Sequence, residues 1–383
     1  MSTSAKQDWQ QLRQEFPVTQ RWAFFDHAAV SPISRAAHQT LCAWADDVLF
    51  NGEINEPAWE KEIEEVRSLA AQLLDTSPEC IAFIKNTSEG IGFVAEGYPW
   101  KPGDNVVVPA DEYPSNVYPW QNLANRGVEV RLVPSRSGRV VLDDIRQAMD
   151  ARTRVVAVSF VEFATGFRVP LAELVEMCHQ RGVHVFVDAI QGLGAIPLSV
   201  RAIPLDMLAA GSHKWLLGPV GAGIFYLRSE LLEVLDPVSV GWKSVVRHWD
   251  FTTLDFRLKP SALRWENGTL SAGILLAFGA SLRLLLELGL ANIWQRIEYL
   301  TDQLCQRLES GGWRIFSSRL AQEKSGIVSV EPRRQEARTL VRQARQEGIV
   351  INHRAGRLRI SPHCYNNEEE LARLADFLEQ ADR

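Results

Sequence analysis

Cysteine is scarce and scattered. The five in 383 residues, Cys42, Cys80, Cys178, Cys305 and Cys364, have no paired spacing for a zinc site, a redox motif or a disulfide framework. A disulfide-stapled secreted scaffold is excluded, and a reducing, cytoplasmic setting is expected. A basic excess is missing too: Lys plus Arg is 41 against 47 for Asp plus Glu, a net charge of -6 with both signs interspersed, so nucleic acid finds no electrostatic footprint. No clean apolar run is long enough to span a bilayer, because the most apolar stretch, Gly273 to Leu290, is broken by Arg283 and Glu287. Met1 to Trp9 lack the basic-then-apolar layout of a secretory signal, so no membrane partner is expected. Gly and Pro gather into no linker, no repeat shows, the eight histidines have no metal spacing, and no serine sits in a nucleophile elbow.

What is present is an ordinary globular composition, 46% apolar and 23% charged, with material for about two to three domains and a core that needs no cross-links. From Ile81 to Leu227, seven short apolar or β-branched runs alternate with helical patterns: Ile81 to Ile84, Asn105 to Pro109, Val128 to Val133, Arg154 to Phe160, Val183 to Asp188, Asp206 to Ala210 and Gly223 to Leu227. Continuous apolar runs are what strands buried on both faces look like, so an α/β fold with a mainly parallel seven-stranded sheet is expected. After Thr269 come two long helical stretches, Ala272 to Leu288 and Ala291 to Leu308. Strand-like pieces follow at Trp313 to Phe316, Ile327 to Glu331, Ile349 to Asn352 and Leu358 to Ser361, with a last helix capped by Asn367. The expected division is a large domain over 17–269 and a smaller α+β domain made of 1–16 and 270–383.

In an open parallel sheet, ligands sit beyond the carboxyl ends of the strands, so polar residues just after apolar runs are the candidates. Asp188 ends one such run. Lys214 follows another among apolar and aromatic neighbours, with no amphipathic helix to snorkel from, and burial lowers a lysine pKa toward the range where the free amine is a nucleophile. Asn86-Thr87-Ser88-Glu89-Gly90 lies between a strand and a helix, where free N–H groups and hydroxyls can dock a phosphate. Arg359 alternates with Leu358 and Ile360 and can grip a carboxylate with its planar fork, Arg357 being the competitor of equal parity. Two glycine-rich stretches, at Gly192 and Gly218, fit no dinucleotide fingerprint: Pro197 interrupts the first, and the second leads into a strand. A phosphate cradle, an acid and a buried lysine at neighbouring strand ends are what pyridoxal 5'-phosphate requires.

The chain resembles the class V aminotransferase family of fold-type-I pyridoxal-phosphate enzymes, which includes cysteine desulfurases, selenocysteine lyases and isopenicillin-N-epimerase-like proteins. The resemblance rests on Phe25-Asp26-His27, Asn86-Thr87-Ser88-Glu89, Glu112-Tyr113-Pro114, Asp188-Ala189-Ile190-Gln191, Ser212-His213-Lys214, Glu266-Asn267-Gly268-Thr269 and Arg359-Ile360-Ser361. It implies that Lys214 is the Schiff-base lysine, Asp188 the partner of the pyridine nitrogen and Gln191 a donor to the ring hydroxyl. Thr87, Ser88, Ser212 and His213 would hold the phosphate, Tyr113 would stack on the ring, and Arg359 and His27 would serve an amino acid substrate. Thr269 would reach the phosphate of a neighbouring subunit in a homodimer with shared active sites. The implied activity begins with α-proton abstraction and ends in transamination, epimerisation or β-elimination. The alternatives are a desulfurase or selenocysteine lyase without the usual loop cysteine, and a pyridoxal-phosphate-binding protein without turnover. Tyr113 replaces a stacking histidine, Phe163 stands where many relatives have asparagine, and no cysteine lies between Gly348 and Leu358. Cys364 reads as a packed small hydrophobe.

Overall fold

The structure, a computed structural model, describes residues 8–381. Residues 1–7, on which the leader reading and part of the small-domain assignment rest, lie outside the described residues. After the two-residue β1 (Ala23–Phe24), the chain builds a central sheet from β2 (Ile81–Ile84), β3 (Asn105–Pro109), β4 (Glu129–Val133), β5 (Thr153–Ser159), β6 (His184–Asp188), β7 (Met207–Gly211) and β8 (Gly223–Leu227), in the spatial order β2-β8-β7-β6-β5-β3-β4. β3 to β7 pair in parallel. β8 runs antiparallel to both β7 and β2, because the segment 212–222 is too short to carry a crossover back to the start of a parallel strand. That short return holds the lysine.

Period-2 geometry sends alternate side chains to two cores. Val107, Val156, Val158, Val185 and Val187 pack with Val66, Leu276 and Leu282 of the long helices Glu56–Leu74 and Ala272–Leu288. Val106, Val108, Val155, Ala157 and Phe186 pack on the other side with Ile91, Val94, Trp120 and Leu123. Burial on both faces is why these strands read as unbroken apolar runs. The helix Ala272–Leu288 is apolar because it lies in the core. It bends by 81° into Leu290–Ser310, and among the described residues no single helix is long and apolar enough to cross a membrane.

The C-terminal part adds β9 (Arg314–Ile315), β10 (Val328–Glu331), β11 (Ile349–Val350), β12 (Asn352–Arg354) and β13 (Arg357–Ile360). Four of these form an antiparallel sheet in the order β12-β13-β10-β9, packed on the helices Leu290–Ser310, Ala337–Gln346 and Glu368–Ala381. The strand expected over Ile349 to Asn352 is split between two partners: β11 pairs with β1, and β12 with β13. Together with the bridge from Asp26 to Ser361, this ties the segment before the first long helix to the C-terminal sheet. The last helix starts as expected, with a capping box. Asn367 Oδ1 accepts the Glu370 N–H at 3.0 Å, and Glu370 Oε2 accepts the Asn367 N–H at 3.1 Å.

Candidate active site

β5, β6 and β7 end side by side, with Ser159 opposite Asp188 and Asp188 opposite Ala209. Over these ends sits the N-terminus of the helix Thr87–Gly97. Helical periodicity marks only Ile91 to Glu96, but the helix begins four residues earlier, because Asn86 caps it by accepting the Glu89 N–H at 3.0 Å. Gly90 lets the helix touch β7: a Cβ there would lie 2.7 Å from the Ala209 Cβ. The first turn therefore aims its unpaired N–H groups and the Thr87 and Ser88 hydroxyls at the crevice. Thr87 Oγ1 accepts the Gly211 N–H at 3.0 Å, which leaves its own proton to donate.

After β7 the chain makes a tight turn. The Gly218 N–H bonds the Ser212 carbonyl at 2.9 Å, the Leu217 N–H bonds the Lys214 carbonyl at 3.1 Å, and Leu217 takes the left-handed φ of 54°. Such a conformation on a branched side chain costs of order 1–3 kcal/mol and persists only where its surroundings fix it. Ser31 does part of the fixing, donating its N–H to the His213 carbonyl at 2.8 Å and its hydroxyl to the Lys214 carbonyl at 2.5 Å. The result is a lysine held at the wall of a cavity of about 350 Å³, whose lining includes Thr87, Ser88, Tyr113, Asp188, Gln191, His213, Lys214 and Arg359.

Burial dominates the electrostatics. It lowers Lys214 to about 8, opposed by Asp188 and assisted by Arg359 and Arg354. It raises Asp188 to about 6 against the Ile190 N–H, which donates to Oδ1 at 3.0 Å, and against Lys214. His213 is pushed down by burial and then by Lys214, so its imidazole is neutral at pH 7, and its Nδ1 is buried without a partner. Arg359, 1% exposed, bonds Asp26 Oδ1 and the Phe163 carbonyl, each at 3.2 Å, and its Nε has no partner. Gln191 Nε2 donates to the Ala28 carbonyl at 3.0 Å and its Oε1 accepts the Trp215 indole N–H at 3.1 Å, which leaves one amide proton free. Tyr113, 45% exposed, meets Phe163 edge-on at 5.3 Å, and Lys214 Nζ lies 5.6 Å from the Tyr113 ring centre.

Three expected site residues lie elsewhere. Ser212 is buried and donates its hydroxyl to the Pro219 carbonyl. It is kept inside by the close return of Gly218, where a Cβ would come within 2.7 Å of the Ser212 Cβ. His27 has both ring nitrogens engaged, Nδ1 with the Ser361 carbonyl at 2.8 Å and Nε2 with the Tyr365 hydroxyl at 2.6 Å. The carbonyl can only accept, so Nδ1 carries the proton and Nε2 accepts from Tyr365. Thr269 is exposed, in crevices lined by Lys85 and Glu89 on one side and Trp44 and Trp59 on the other. Arg357 is off the cavity wall, stacked 3.7 Å over the Phe316 ring.

Sequence reasoning gave no site role to Arg354, which lines the cavity, or to Glu112 and Glu162, which are buried behind it. Both Ser159 donors, N–H and hydroxyl, reach Glu112, whose carboxyl is raised to about 8 by burial and by Asp188. Glu162 is likewise held well above the usual carboxylate range, by burial and then by Glu112. A glutamate in a loop reads as solvated surface, and only the pairing of Glu112 with the end of β5 gives it away.

The cavity fits pyridoxal phosphate. Its volume lies in the range of cofactor pockets. Its spare bonding capacity is distributed as that molecule demands: an unpartnered His213 nitrogen and a helix N-terminus at one end, a carboxylate in the floor and a primary amine on the wall.

A family model described as Aminotransferase class-V matches residues 24–374. The chain is 30% identical over 398 residues to a cysteine desulfurase of Cronobacter sakazakii, covering 95% of this chain and 96% of that one. It is 28% identical over 394 residues to a probable cysteine desulfurase of Methanothermobacter thermautotrophicus, covering 96% and 97%. Among solved structures, the apo cysteine desulfurase of Thermococcus onnurineus superposes with a TM-score of 0.90 at 23% identity, over 99% of both chains. The cystine C-S lyase C-DES, in complex with cysteine persulfide, gives 0.90 at 23% identity, over 95% of this chain and 99% of that one. At such identities the likeness concerns the fold, which is that of fold-type-I enzymes.

Proposed function

The chain belongs to the class-V aminotransferase family, and on that premise we propose that it is a pyridoxal-phosphate enzyme that takes the α-proton from an amino acid. The observation that carries the reading is the meeting of Lys214, Asp188 and the N-terminus of Thr87–Gly97 on one cavity. When bound, the cofactor supplies an electron sink for the bond broken at the α-carbon. Thr87, Ser88, the free N–H groups behind them and His213 would hold its phosphate, and Asp188, ionised at pH 7, would accept the pyridinium N–H. Lys214 would carry the cofactor and, once released, take the α-proton on Nζ. Gln191 would donate a hydrogen bond from its free amide N–H to the ring hydroxyl oxygen, and Arg359 would fork the substrate carboxylate. The same residues serve transamination, epimerisation and β-elimination alike.

The test is chemical trapping. Borohydride reduction of the yellow protein, followed by peptide mapping, fixes the cofactor on Lys214, and each amino acid that the enzyme accepts changes the cofactor absorbance. Label on another lysine overturns the assignment.

A further inference from the structure

The cavity carries one cation more than the reading above employs. Arg354 lies on β12 and Arg359 on β13. Because Asn352 pairs with Arg359 and Arg354 with Arg357, Arg354 is the diagonal neighbour of Arg359 on the same face of the small sheet, about 7–8 Å away between strands. One scaffold orients both guanidinium groups. Asp26 accepts from Arg359 on Oδ1 at 3.2 Å and from Asn352 Nδ2 on Oδ2 at 2.7 Å. The Asn352 Oδ1, turned the other way, accepts Arg354 Nη1 at 2.9 Å, and the His353 carbonyl accepts the same nitrogen at 2.7 Å. Asp26 forms its salt bridge with Arg359. Arg354 forms no salt bridge among the described residues, although it faces the cavity. A positioned, uncompensated cation beside a carboxylate-binding arginine is a site for a second anion.

We propose that Arg354 sets substrate specificity, and that the substrate is an α-amino acid with a short acidic side chain, carboxylic or sulfinic, whose α-carboxylate lies on Arg359 and whose distal acid lies on Arg354. The proposal rests on the amino acid reading of the preceding subsection. Arg359, flanked by the Phe163 carbonyl and Asp26, is pre-oriented for one planar carboxylate, and Arg354, held through Nη1 alone, keeps its other N–H groups for a second.

The experiment titrates the holoenzyme with aspartate, glutamate and cysteine sulfinate against asparagine, glutamine and alanine, reading Kd from the cofactor absorbance. Calorimetry with succinate against butyrate, which lack the amine, gives a readout independent of turnover. Acidic ligands are expected to bind about ten- to a hundredfold tighter than their neutral isosteres, the worth of a charge-assisted bond. Arg354→Gln, checked for bound cofactor, should bring that ratio close to one, and Arg354→Lys should restore part of it. The arms separate dicarboxylate from sulfinate substrates. If neutral and acidic ligands bind equally, or if Arg354→Gln weakens both in the same proportion, Arg354 serves the α-carboxylate and the proposal falls alone. If no amino acid alters the absorbance and succinate binds no better than butyrate, the amino acid reading falls and takes this one with it.

Discussion

Lys214 is the residue at which sequence and structure agree for a single physical reason. The lysine has no helix to snorkel from, and the turn between β7 and β8 leaves its ammonium desolvated, which brings its pKa from the usual 10.5 to about 8. Deprotonation makes it a nucleophile, so capture of pyridoxal phosphate by the apoprotein should accelerate as pH rises through about 8. A stopped-flow pH profile checks this, and a profile that is flat from 6.5 to 9.5, or whose midpoint stays near 10, contradicts it. Strand parity left Arg359 and Arg357 equivalent and the resemblance pointed to Arg359; the structure puts Arg359 on the cavity wall and Arg357 over the Phe316 ring. Arg359→Lys keeps the charge and loses the fork. It should raise KM for amino acids by about ten- to a hundredfold, the worth of a charged hydrogen bond, while kcat and the cofactor spectrum change little. A variant with wild-type KM would place the carboxylate elsewhere. Arg354, Glu112 and Glu162 stayed hidden because a lone charge in a sequence says nothing about burial. Ser212 was misplaced because its hydroxyl partner, the Pro219 carbonyl, is set by a turn whose tightness no motif specifies.

At the scale of elements, legibility followed burial. β2, β3 and β8 run over the expected residues, because a strand sandwiched between two cores shows an uninterrupted apolar run. The helix start at Thr87 was missed, since its first turn, Thr87-Ser88-Glu89-Gly90, is polar and carries no periodicity. The β12–β13 hairpin has a chemical consequence. It turns at Ala355 and Gly356, and no cysteine lies in it or lines the cavity. Cys42 is exposed and Cys80 half-buried, while Cys178, Cys305 and Cys364 are buried, their thiols pushed to higher pKa by burial. A buried thiol with a raised pKa is a poor nucleophile. Replacing all five cysteines by Ser or Ala should therefore spare turnover, even where packing softens. Mass spectrometry after exposure to L-cysteine should find no stoichiometric persulfide on the wild type. A persulfide on Cys364, or loss of turnover in the cysteine-free variant that retains its cofactor, contradicts the reading.

At the scale of the molecule, the surface carries more apolar side chains than a lone chain needs. Leu49 and Phe50 stand on the last turn of the helix Arg35–Asn51 and Ile54 just beyond it, and Trp249, Phe251, Leu254 and Phe256 stand on the segment before Ser261, each at least 66% exposed. We propose that a second copy covers them, since apolar groups of this size left in water mark an interface. Thr269 is exposed beside the same region, in a crevice with Trp44, Trp59 and Lys243, and is off the cavity wall of its own chain. On the dimer reading it completes the phosphate cradle of the partner. A mixing experiment separates the cases. Lys214→Ala and Thr269→Ala chains, each impaired alone, are unfolded together and refolded. If Thr269 acts across the interface, every mixed dimer has one site that combines an intact Lys214 with an intact Thr269. Half the dimers are then mixed and half of their sites work, so activity should approach about a quarter of the wild-type value. If Thr269 serves its own chain, each site in the mixed dimer has one lesion and activity stays at the sum of the separate variants. Sedimentation of a fully active monomer would remove the interface altogether, and the exposed tryptophan and phenylalanine side chains would then need a different partner.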